Sequence, residues 1–409
     1  MAKKKRPKSR PARRPRPPAP AQPASSPHQP LRSRRVRRPL GNPVALPSAH
    51  ARFEPPPPTD AQLLTLSLAT VDAVEERRIA AAGKMVFHCV GDTGGIHGTD
   101  VQEAIAHQME AQYDAAADAV KPAFLYHLGD VIYFNGESTL YTEQFYQPYT
   151  LYQPHIFAIA GNHDGDTHVR PGDPVDSEST LFGFMSNFCD SQPRFDFDQH
   201  RPTMTQPYVY WTLDTPLATI VGLYSNVDGL LDRRSGDEQQ LWLQGQLASA
   251  PGDKCLLLAV HHPPYSLDAI KGGAPDIGAA LDRAFAASGR VPDAIFSGHV
   301  HSYQRFTRVL NGRQVPYIVA GAGGYANTAR LMHKLQAEPS GDPLPAGFQT
   351  TVAGVTLEGF NDIEPGFLRI TVDSKTLLGE YFAVPFDGSA TALVDSFTLN
   401  WKSHTIKSP

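Results

Sequence analysis

Cysteine is scarce in this chain of 409 residues, which contains three: Cys89, Cys189 and Cys255. The number is odd, no pair has CxxC spacing, and two of the three lie in apolar, strand-like runs. These features predict buried thiols rather than a framework of disulfides.

Long apolar runs are missing as well. No stretch reaches the roughly 18 apolar residues of a membrane-spanning helix, so no transmembrane segment is predicted. The basic start of the chain is not followed by the apolar segment of about 7–15 residues that a secretory signal needs. The nearest imitation, "QLLTLSLATVDAV" from Gln62, contains Asp72 and has the spacing of an amphipathic helix. We therefore expect a cytoplasmic location.

Acidic residues are absent from the first 40 positions, which hold 14 of the 37 lysines and arginines. The other 23 basic residues stand against all 41 acidic ones, a formal charge of about −18 for the rest of the chain. Residues 1–58 are predicted to be a disordered basic tail and linker, because they hold too few large apolar side chains to offset chain entropy. Such a tail either contacts a polyanion or is simply solvated.

Strand-like and helix-like patterns alternate after the proline run at 55–58, which predicts one α/β domain over residues 59–409. The apolar runs begin at Met85, Ala123, Ile156, Thr219, Cys255, Ala294 and Pro316. The helix candidates are Asp60–Ala82 with Thr59 as its cap, Asp100–Val120, Leu140–Tyr149, Asp237–Ala248 and Ile277–Ser288. Three short antiparallel strands, from Pro365, Thr376 and Ala392, are expected to complete a sheet.

Five of the apolar runs lead directly into polar motifs: "GDTGG" at Gly91, "GDVIY" at Gly129, "GNHD" at Gly161, "HHPPY" at His261 and "GHVHSYQR" at Gly298. Any one of them alone is an ordinary turn. Ligands collect where the strands of α/β sheets end, so the five together are expected at one edge. They supply Asp92, Asp130, Tyr133, Asn162, His163, His261, His299 and His301. This mixed oxygen and nitrogen set fits two transition ions with a bridging carboxylate better than one tetrahedral zinc.

These motifs resemble those of the calcineurin-like metallophosphoesterases, and within them the purple acid phosphatases. The family pattern is GDxG, GDxxY, GNH(D/E), VxxH and GHxH; four blocks match, and the VxxH block reads "LAVH", with Leu258 in place of Val. The resemblance implies a four-layer α/β/β/α sandwich of the metallophosphoesterase type. Most calcineurin-like enzymes have a histidine at the position of Gly94, and the resemblance implies that Tyr133 takes its place as a ligand.

The same resemblance implies a role for each motif residue. Asp92, Asp130, Tyr133 and His301 would hold one metal ion, expected to be Fe(III), and Asp130, Asn162, His261 and His299 a divalent Fe, Zn or Mn ion. His163 would act as the general acid or anchor the phosphate. Asp164 would orient the imidazole of His163 or cap the following turn, and His262 would serve the substrate pocket or pack.

The implied function is hydrolysis of small phosphomonoesters by a metal-activated hydroxide. A phosphodiesterase or a nucleotide-pyrophosphate hydrolase would use the same dimetal core. A different class of function is also open: a non-catalytic protein could keep the fold and dock on nucleic acid or an anionic membrane through its tail.

Two further expectations concern segments outside the ligand motifs. "GAGGY" at Gly321 is expected to form a tight turn near the site. In the insertion Asp164–Gln206 an arginine could hold a phosphate; this segment contains His168, Arg170, Arg194 and Arg201.

Overall fold

Two β-sheets form the framework of the computed structural model, which describes residues 55–59, 63–96, 98–166, 178–195, 201–225, 231, 238–338 and 340–407. In chain order the strands are β1 (Thr65–Ser67), β2 (Lys84–Val90), β3 (Pro122–His127), β4 (His155–Ala158), β5 (Trp211–Asp214), β6 (Ala218–Leu223), β7 (Cys255–Val260), β8 (Ala294–Ser297), β9 (Tyr303–Leu310), β10 (Arg313–Ala320), β11 (Phe348–Gln349), β12 (Val355–Asn361), β13 (Gly366–Asp373), β14 (Thr376–Ala383), β15 (Ala392–Asn400) and β16 (Thr405–Lys407).

Each sheet contains a group of neighbouring parallel strands. Within the described residues one sheet has the order β1-β5-β6-β7-β8-β10-β9-β12-β11 and the other the order β16-β15-β14-β13-β2-β3-β4. Strands β2, β3 and β4 are parallel in the second sheet, and β6, β7, β8 and β10 are parallel in the first. The three C-terminal strands predicted from the sequence are confirmed as β13, β14 and β15, which pair antiparallel.

The helices lie between these strands in the chain. They are α1 (Leu68–Val71), α2 (Ala73–Ala82), α3 (Asp100–Ala115), α4 (Asn162–Gly165), α5 (Phe182–Phe188), α6 (Glu238–Ser249) and α7 (Pro275–Ser288). Of the predicted helices, α6 and α7 are confirmed, and α3 is shorter than predicted, because Asp118–Val120 forms a separate 3₁₀ turn.

Alternation of apolar side chains along the strands produces the four layers. In β7, Leu257 belongs to a buried cluster that also contains Phe87 of β2, so the two sheets share one core. The next side chain, Leu258, packs on the opposite face in a cluster with α6 and α7. In β3, Leu125 likewise packs away from the shared core, in a cluster with α3. The expected α/β/β/α sandwich is confirmed.

The single helix predicted for Asp60–Ala82 is wrong. Its first part is strand β1, which pairs in parallel with β5, and two helices follow. Asp72 separates them, because its carboxylate accepts the backbone N–H groups of Val74 and Glu75 and thereby begins a new helix. Thr59, the predicted cap, precedes residues 60–62, which lie outside the described ranges.

The helix predicted for Leu140–Tyr149 is also wrong. The segment consists of a 3₁₀ turn at Ser138–Leu140 and one π-helical turn at Thr142–Tyr146. The backbone N–H of Gln147 donates to the carbonyl of Thr142 at 2.9 Å. Pro148 has no N–H to donate to the carbonyl of Gln144, four residues earlier, and that carbonyl accepts the side-chain amide of Gln102 at 2.8 Å instead.

The expectations from composition have different outcomes. All three cysteines are free; Cys89 and Cys255 are buried as predicted, and Cys189 is half-buried. None of the helices in the described ranges combines the length and apolar character needed to cross a bilayer. Residues 1–54 lie outside those ranges, so the disordered tail, its contact with a polyanion and the cytoplasmic location stay predictions.

A buried ion pair joins the two sheets close to the polar strand ends. Arg305 of β9 donates from Nε to Asp395 Oδ2 of β15 at 2.7 Å and from Nη2 to Oδ1 at 3.0 Å. The hydroxyl of Tyr303 donates to the same Oδ2 at 2.7 Å. Strand β9 begins two residues after His301, so this contact fixes the strand that follows the "GHVH" motif.

We expect Asp395→Asn to lower the free energy of unfolding by about 3 kcal/mol, because it leaves the charge of a 2% exposed Arg305 without its counter-charge. The matched control is Glu380→Gln, which breaks a bidentate pair with the 32% exposed Arg369 within one sheet and should cost about 1 kcal/mol or less. Denaturant unfolding followed by circular dichroism measures both. Equal losses would contradict a special role for the pair that joins the sheets.

Candidate metal centre

The candidate site lies where the carboxyl ends of parallel strands from both sheets meet. The predicted residues follow five strands: Asp92 after β2, Asp130 and Tyr133 after β3, Asn162 and His163 after β4, His261 after β7, and His299 and His301 after β8. The sequence interpretation placed them at one sheet edge, whereas the structure draws them from two facing sheets. The backbone N–H of Gly91 joins the sheets at this point by donating to the carbonyl of Ala320 at 2.9 Å.

Three of the side chains surround the hydroxyl of Tyr133. That oxygen lies 3.1 Å from Asp130 Oδ2, 3.3 Å from Asp92 Oδ1 and 3.4 Å from His301 Nε2. His301 Nε2 is in turn 3.4 Å from Asp92 Oδ1. Asp92, Asp130 and Tyr133 have no exposed surface. The structure therefore brings together the whole set predicted for one metal ion.

A second group meets the first at Asp130. Its other oxygen, Oδ1, lies 3.4 Å from His261 Nε2. The side-chain oxygen of Asn162 lies 3.2 Å from His261 Nε2 and 2.7 Å from His299 Nδ1. Asp130, His261 and His299 each offer one ligand atom, and these atoms all lie within 4.8 Å of one another. Asp130 belongs to both groups, the position that a bridging carboxylate needs.

Three of these residues have left-handed backbone, with φ of 60° at Asp92, 52° at Asp130 and 66° at His299. Each follows a glycine at the end of a strand. For a residue other than glycine, this conformation costs about 1–2 kcal/mol. The backbone N–H of His299 donates to Asp92 Oδ2 at 2.7 Å, which is one of the contacts that offset this cost. Strained turns at the point of chemistry are typical of functional sites.

The loops after β3 and β4 approach each other so closely that only glycine fits at position 161. A Cβ added to Gly161 would lie 2.1 Å from the backbone nitrogen of Asp130. Asp164 ties the same loops together, because its carboxylate accepts N–H groups from Gly161 at 2.7 Å, Val131 at 3.0 Å and Ile132 at 3.3 Å. Asp164 therefore caps the start of its own turn, at Gly161, rather than the turn that follows it as predicted.

His163 is held by its backbone and by one ring nitrogen. Its N–H donates to Asp130 Oδ1 at 2.8 Å, and its Nδ1 lies 2.8 Å from the carbonyl oxygen of Phe134. Because a carbonyl only accepts, Nδ1 carries the proton, and Nε2 has no hydrogen-bond partner among the described residues. The half-buried ring lies 4.4 Å from the ring of Tyr133. Burial lowers the pKa of His163.

The two adjacent histidines of "HHPPY" have different surroundings. His261 Nδ1 lies 2.7 Å from the carbonyl oxygen of Leu128, which leaves Nε2 as its ligand atom. His262 Nδ1 lies 2.9 Å from Ser225 Oγ, and its ring packs 4.3 Å from that of His299. With 8% of its surface exposed, His262 is buried to about the same degree as His299 at 9%, and its part in the substrate pocket or in packing stays a prediction.

The buried carboxylates have histidines as their ion-pair partners among the described residues. Burial raises the pKa of Asp92 to about 7, although the charge of His261 opposes this shift. Burial would raise the pKa of Asp130 too, but His261 and His163 outweigh it and hold the pKa well below its usual range. Burial lowers the pKa of His261, yet Asp130 outweighs it and raises the value to about 9.

Three residues that the motifs did not assign also contact the site. The ring of Tyr325 stacks on Tyr133 at 3.9 Å, and the ring of His333 stacks on His301 at 4.2 Å. Lys271 Nζ lies 3.1 Å from the carbonyl oxygen of His299. Tyr325 belongs to "GAGGY", so the expectation of a turn near the site is confirmed. The other two residues stand in loops outside any motif, Lys271 six residues after "HHPPY" and His333 eight residues after "GAGGY", and nothing else in the sequence signalled them.

The arginines of the insertion Asp164–Gln206 make contacts away from the site. Arg201 is buried and donates to the carbonyl oxygens of Tyr152 at 3.1 Å and Pro154 at 2.6 Å. Arg194 pairs with Asp190 at 3.0 Å. His168 and Arg170 lie outside the described ranges. The described arginines of this segment are therefore engaged elsewhere.

The donor set fits two cations. Two carboxylates are fully buried with only imidazoles as ion-pair partners in the described residues, an arrangement that a metal ion would stabilise. Burial and the two carboxylates raise the pKa of Tyr133 well above its usual value, so a phenolate here needs a strong cation beside it. Carboxylate, phenolate and imidazole donors suit iron, and imidazole with amide oxygen suits a divalent ion.

Comparisons with known proteins agree with this geometry. A family model described as calcineurin-like phosphoesterase matches residues 85–303, which are more than half of the chain and include every candidate ligand. Purple acid phosphatase 22 of Arabidopsis thaliana is 29% identical over 146 residues, which make up 34% of this chain and 32% of that protein. Tartrate-resistant acid phosphatase type 5 of Oryctolagus cuniculus is 25% identical over 254 residues, 58% of this chain and 73% of that protein.

A solved structure of a purple acid phosphatase from yellow lupin (Lupinus luteus) seeds has the same fold. It superposes with a TM-score of 0.54 at 19% identity and covers 78% of this chain and 54% of its own. The chain thus spans about a third of the length of the Arabidopsis relative and about half of the lupin protein.

Metal affinity should increase with pH, because a metal must displace protons from the site. His261 keeps its proton up to a pKa of about 9 and Asp92 up to about 7, and the raised pKa of Tyr133 keeps the phenol protonated over the whole range. Affinity should therefore fall by at least roughly tenfold for each pH unit below 9, and more steeply below 7. Competition with a chelator at pH 6, 7 and 8 measures this slope. An affinity that stays constant over this range would contradict the protonation states described.

Proposed function

The chain belongs to the calcineurin-like phosphoesterase family, and on that premise we propose that it is a dinuclear metal-dependent phosphoesterase that hydrolyses phosphomonoesters. The observation that carries the proposal is the meeting of two donor groups at Asp130, whose Oδ2 faces Tyr133 and whose Oδ1 faces His261. The purple acid phosphatases among its relatives support an acid phosphatase type of activity.

We assign the ligands as the sequence motifs do. Asp92, Asp130, Tyr133 and His301 hold Fe(III), and Asp130, Asn162, His261 and His299 hold a divalent Fe, Zn or Mn ion. The assignment of iron rests on Tyr133, because a phenolate is a hard anionic donor and lies among two carboxylates. The hydrogen bond from His261 Nδ1 to the carbonyl oxygen of Leu128 supports the assignment of His261 as a ligand, since it leaves Nε2 as the ring nitrogen that is free to ligate.

When bound, two such ions lower the pKa of a water molecule and neutralise negative charge on the phosphoryl group. The protein's own residues position the substrate. The bond from Nδ1 of His163 to the carbonyl of Phe134 leaves Nε2 available to the leaving oxygen of an ester. As a general acid, His163 has to be protonated, and its lowered pKa places that form at acidic pH.

The proposal predicts that His163→Gln keeps its metal and loses activity, whereas Asp130→Asn loses both. The loss of turnover on an aryl phosphate should be about 10²–10⁴-fold for His163→Gln, the usual contribution of a general acid. Asn at position 130 tolerates the left-handed backbone, so the second variant removes the charge without adding strain. Elemental analysis and steady-state kinetics at pH 5–7 measure the two properties.

The exposed His107 of α3 provides the control, and His107→Gln should match wild type in both measurements. A His163→Gln variant with turnover within threefold of wild type would remove the proposed acid. Assay of the bis-aryl diester in parallel tests the substrate class, since equal or faster turnover of the diester would favour a phosphodiesterase.

A further inference from the structure

Lys271 brings a cation to the edge of the candidate metal centre. It lies in the loop between β7 and α7, ten residues after His261. Its Nζ donates to the carbonyl oxygen of His299 at 3.1 Å. The same His299 binds Asp92 through its backbone N–H at 2.7 Å and contacts Asn162 through its ring at 2.7 Å. The ammonium therefore contacts the backbone of one candidate ligand, and that ligand in turn contacts Asp92 of the first group and Asn162 of the second.

The backbone of the loop holds Lys271 in this position. The buried carboxylate of Asp268 accepts the N–H groups of three successive residues, Ile270 at 3.0 Å, Lys271 itself, and Gly272 at 3.3 Å. Gly272 has a φ of 73°, a conformation that favours glycine and completes the turn. The side chain of Lys271 is half-buried, so part of its surface remains open to a ligand.

The ammonium group has capacity for a further partner. An ammonium carries three N–H donors, and among the described residues the His299 carbonyl is its one acceptor. Within the same residues no carboxylate lies at ion-pair distance from it. A fixed cation with open donors at such a site is suited to an anion.

We propose that Lys271 binds an oxygen of the substrate phosphate and thereby favours dianionic monoesters over monoanionic diesters. This proposal rests on the proposed phosphoesterase function. A monoester carries close to two negative charges at neutral pH and a diester carries one. A positive charge beside the metal site therefore attracts the monoester more strongly, whereas the metal ligands alone are common to both reactions.

Lys271 could instead serve only to position His299, and the choice of variant separates the two roles. Lys271→Gln keeps an N–H donor, one bond nearer the backbone than the ammonium, and removes the charge. In Lys271→Arg the charge and the donors are both kept. Lys375, which is exposed in the turn between β13 and β14, gives the matched control Lys375→Gln.

The experiment uses the full chain loaded with metal, whose content is verified for every variant. Binding of inorganic phosphate is measured by titration calorimetry, and kcat/KM is measured for an aryl phosphate and for its bis-aryl diester at pH 7. We expect Lys271→Gln to weaken phosphate binding and to lower monoester kcat/KM by roughly tenfold to a hundredfold, the usual effect of a charge-assisted hydrogen bond. Diester kcat/KM should stay within threefold, and Lys271→Arg and Lys375→Gln should resemble wild type.

Phosphate affinity in Lys271→Gln within twofold of wild type, at full metal content, would overturn the proposal. Loss of metal from that variant would also overturn it, because it would assign Lys271 to positioning His299. If the wild type hydrolyses neither ester, the proposed function fails, while the phosphate titration still decides whether Lys271 binds the anion.

Discussion

Burial of two carboxylates with only imidazoles as ion-pair partners is the constraint on which the described site depends. Asp92 and Asp130 lie without exposed surface between two sheets, where an unpaired charge costs several kcal/mol. Among the described residues, histidines and the phenol of Tyr133 lie closest to their oxygens, and none of these is a permanent cation. Two metal ions would supply the missing charge, which makes the polar interior a binding site rather than a defect in the core.

Several ordinary features of the fold bring the two carboxylates and their neighbours together. Apolar alternation buries both faces of each sheet, so the polar residues can collect only where the strands end. Left-handed turns at Asp92, Asp130 and His299 carry a strain that the surrounding contacts must offset. Asp164 binds the loops after β3 and β4 to each other. The ion pair of Arg305 with Asp395 then holds one sheet against the other just beyond the site.

Local patterns in the sequence predicted the parallel strands and the residues at their ends, because these depend mainly on neighbouring residues in the chain. Apolar runs predicted the parallel strands, and the motif residues at their ends indeed converge in space. The helix over Asp60–Ala82 was wrong because Asp72 stops one helix and starts another. The helix over Leu140–Tyr149 was wrong because the segment winds as a 3₁₀ turn and a π turn, and Pro148 supplies no N–H to the carbonyl of Gln144. The contact of Lys271 with His299 could not be predicted, since it joins two loops that only the folded chain brings together.

Elemental analysis and a visible spectrum of the purified protein, recorded beside Tyr133→Phe, test the dinuclear centre most directly. We expect two metal ions per chain, one of them iron, and a visible charge-transfer band that disappears in the variant, because a tyrosinate bound to Fe(III) is its source. Two metals without such a band would leave a phosphoesterase of another metal composition. Failure to bind any metal, even after reconstitution, would contradict the account at its centre.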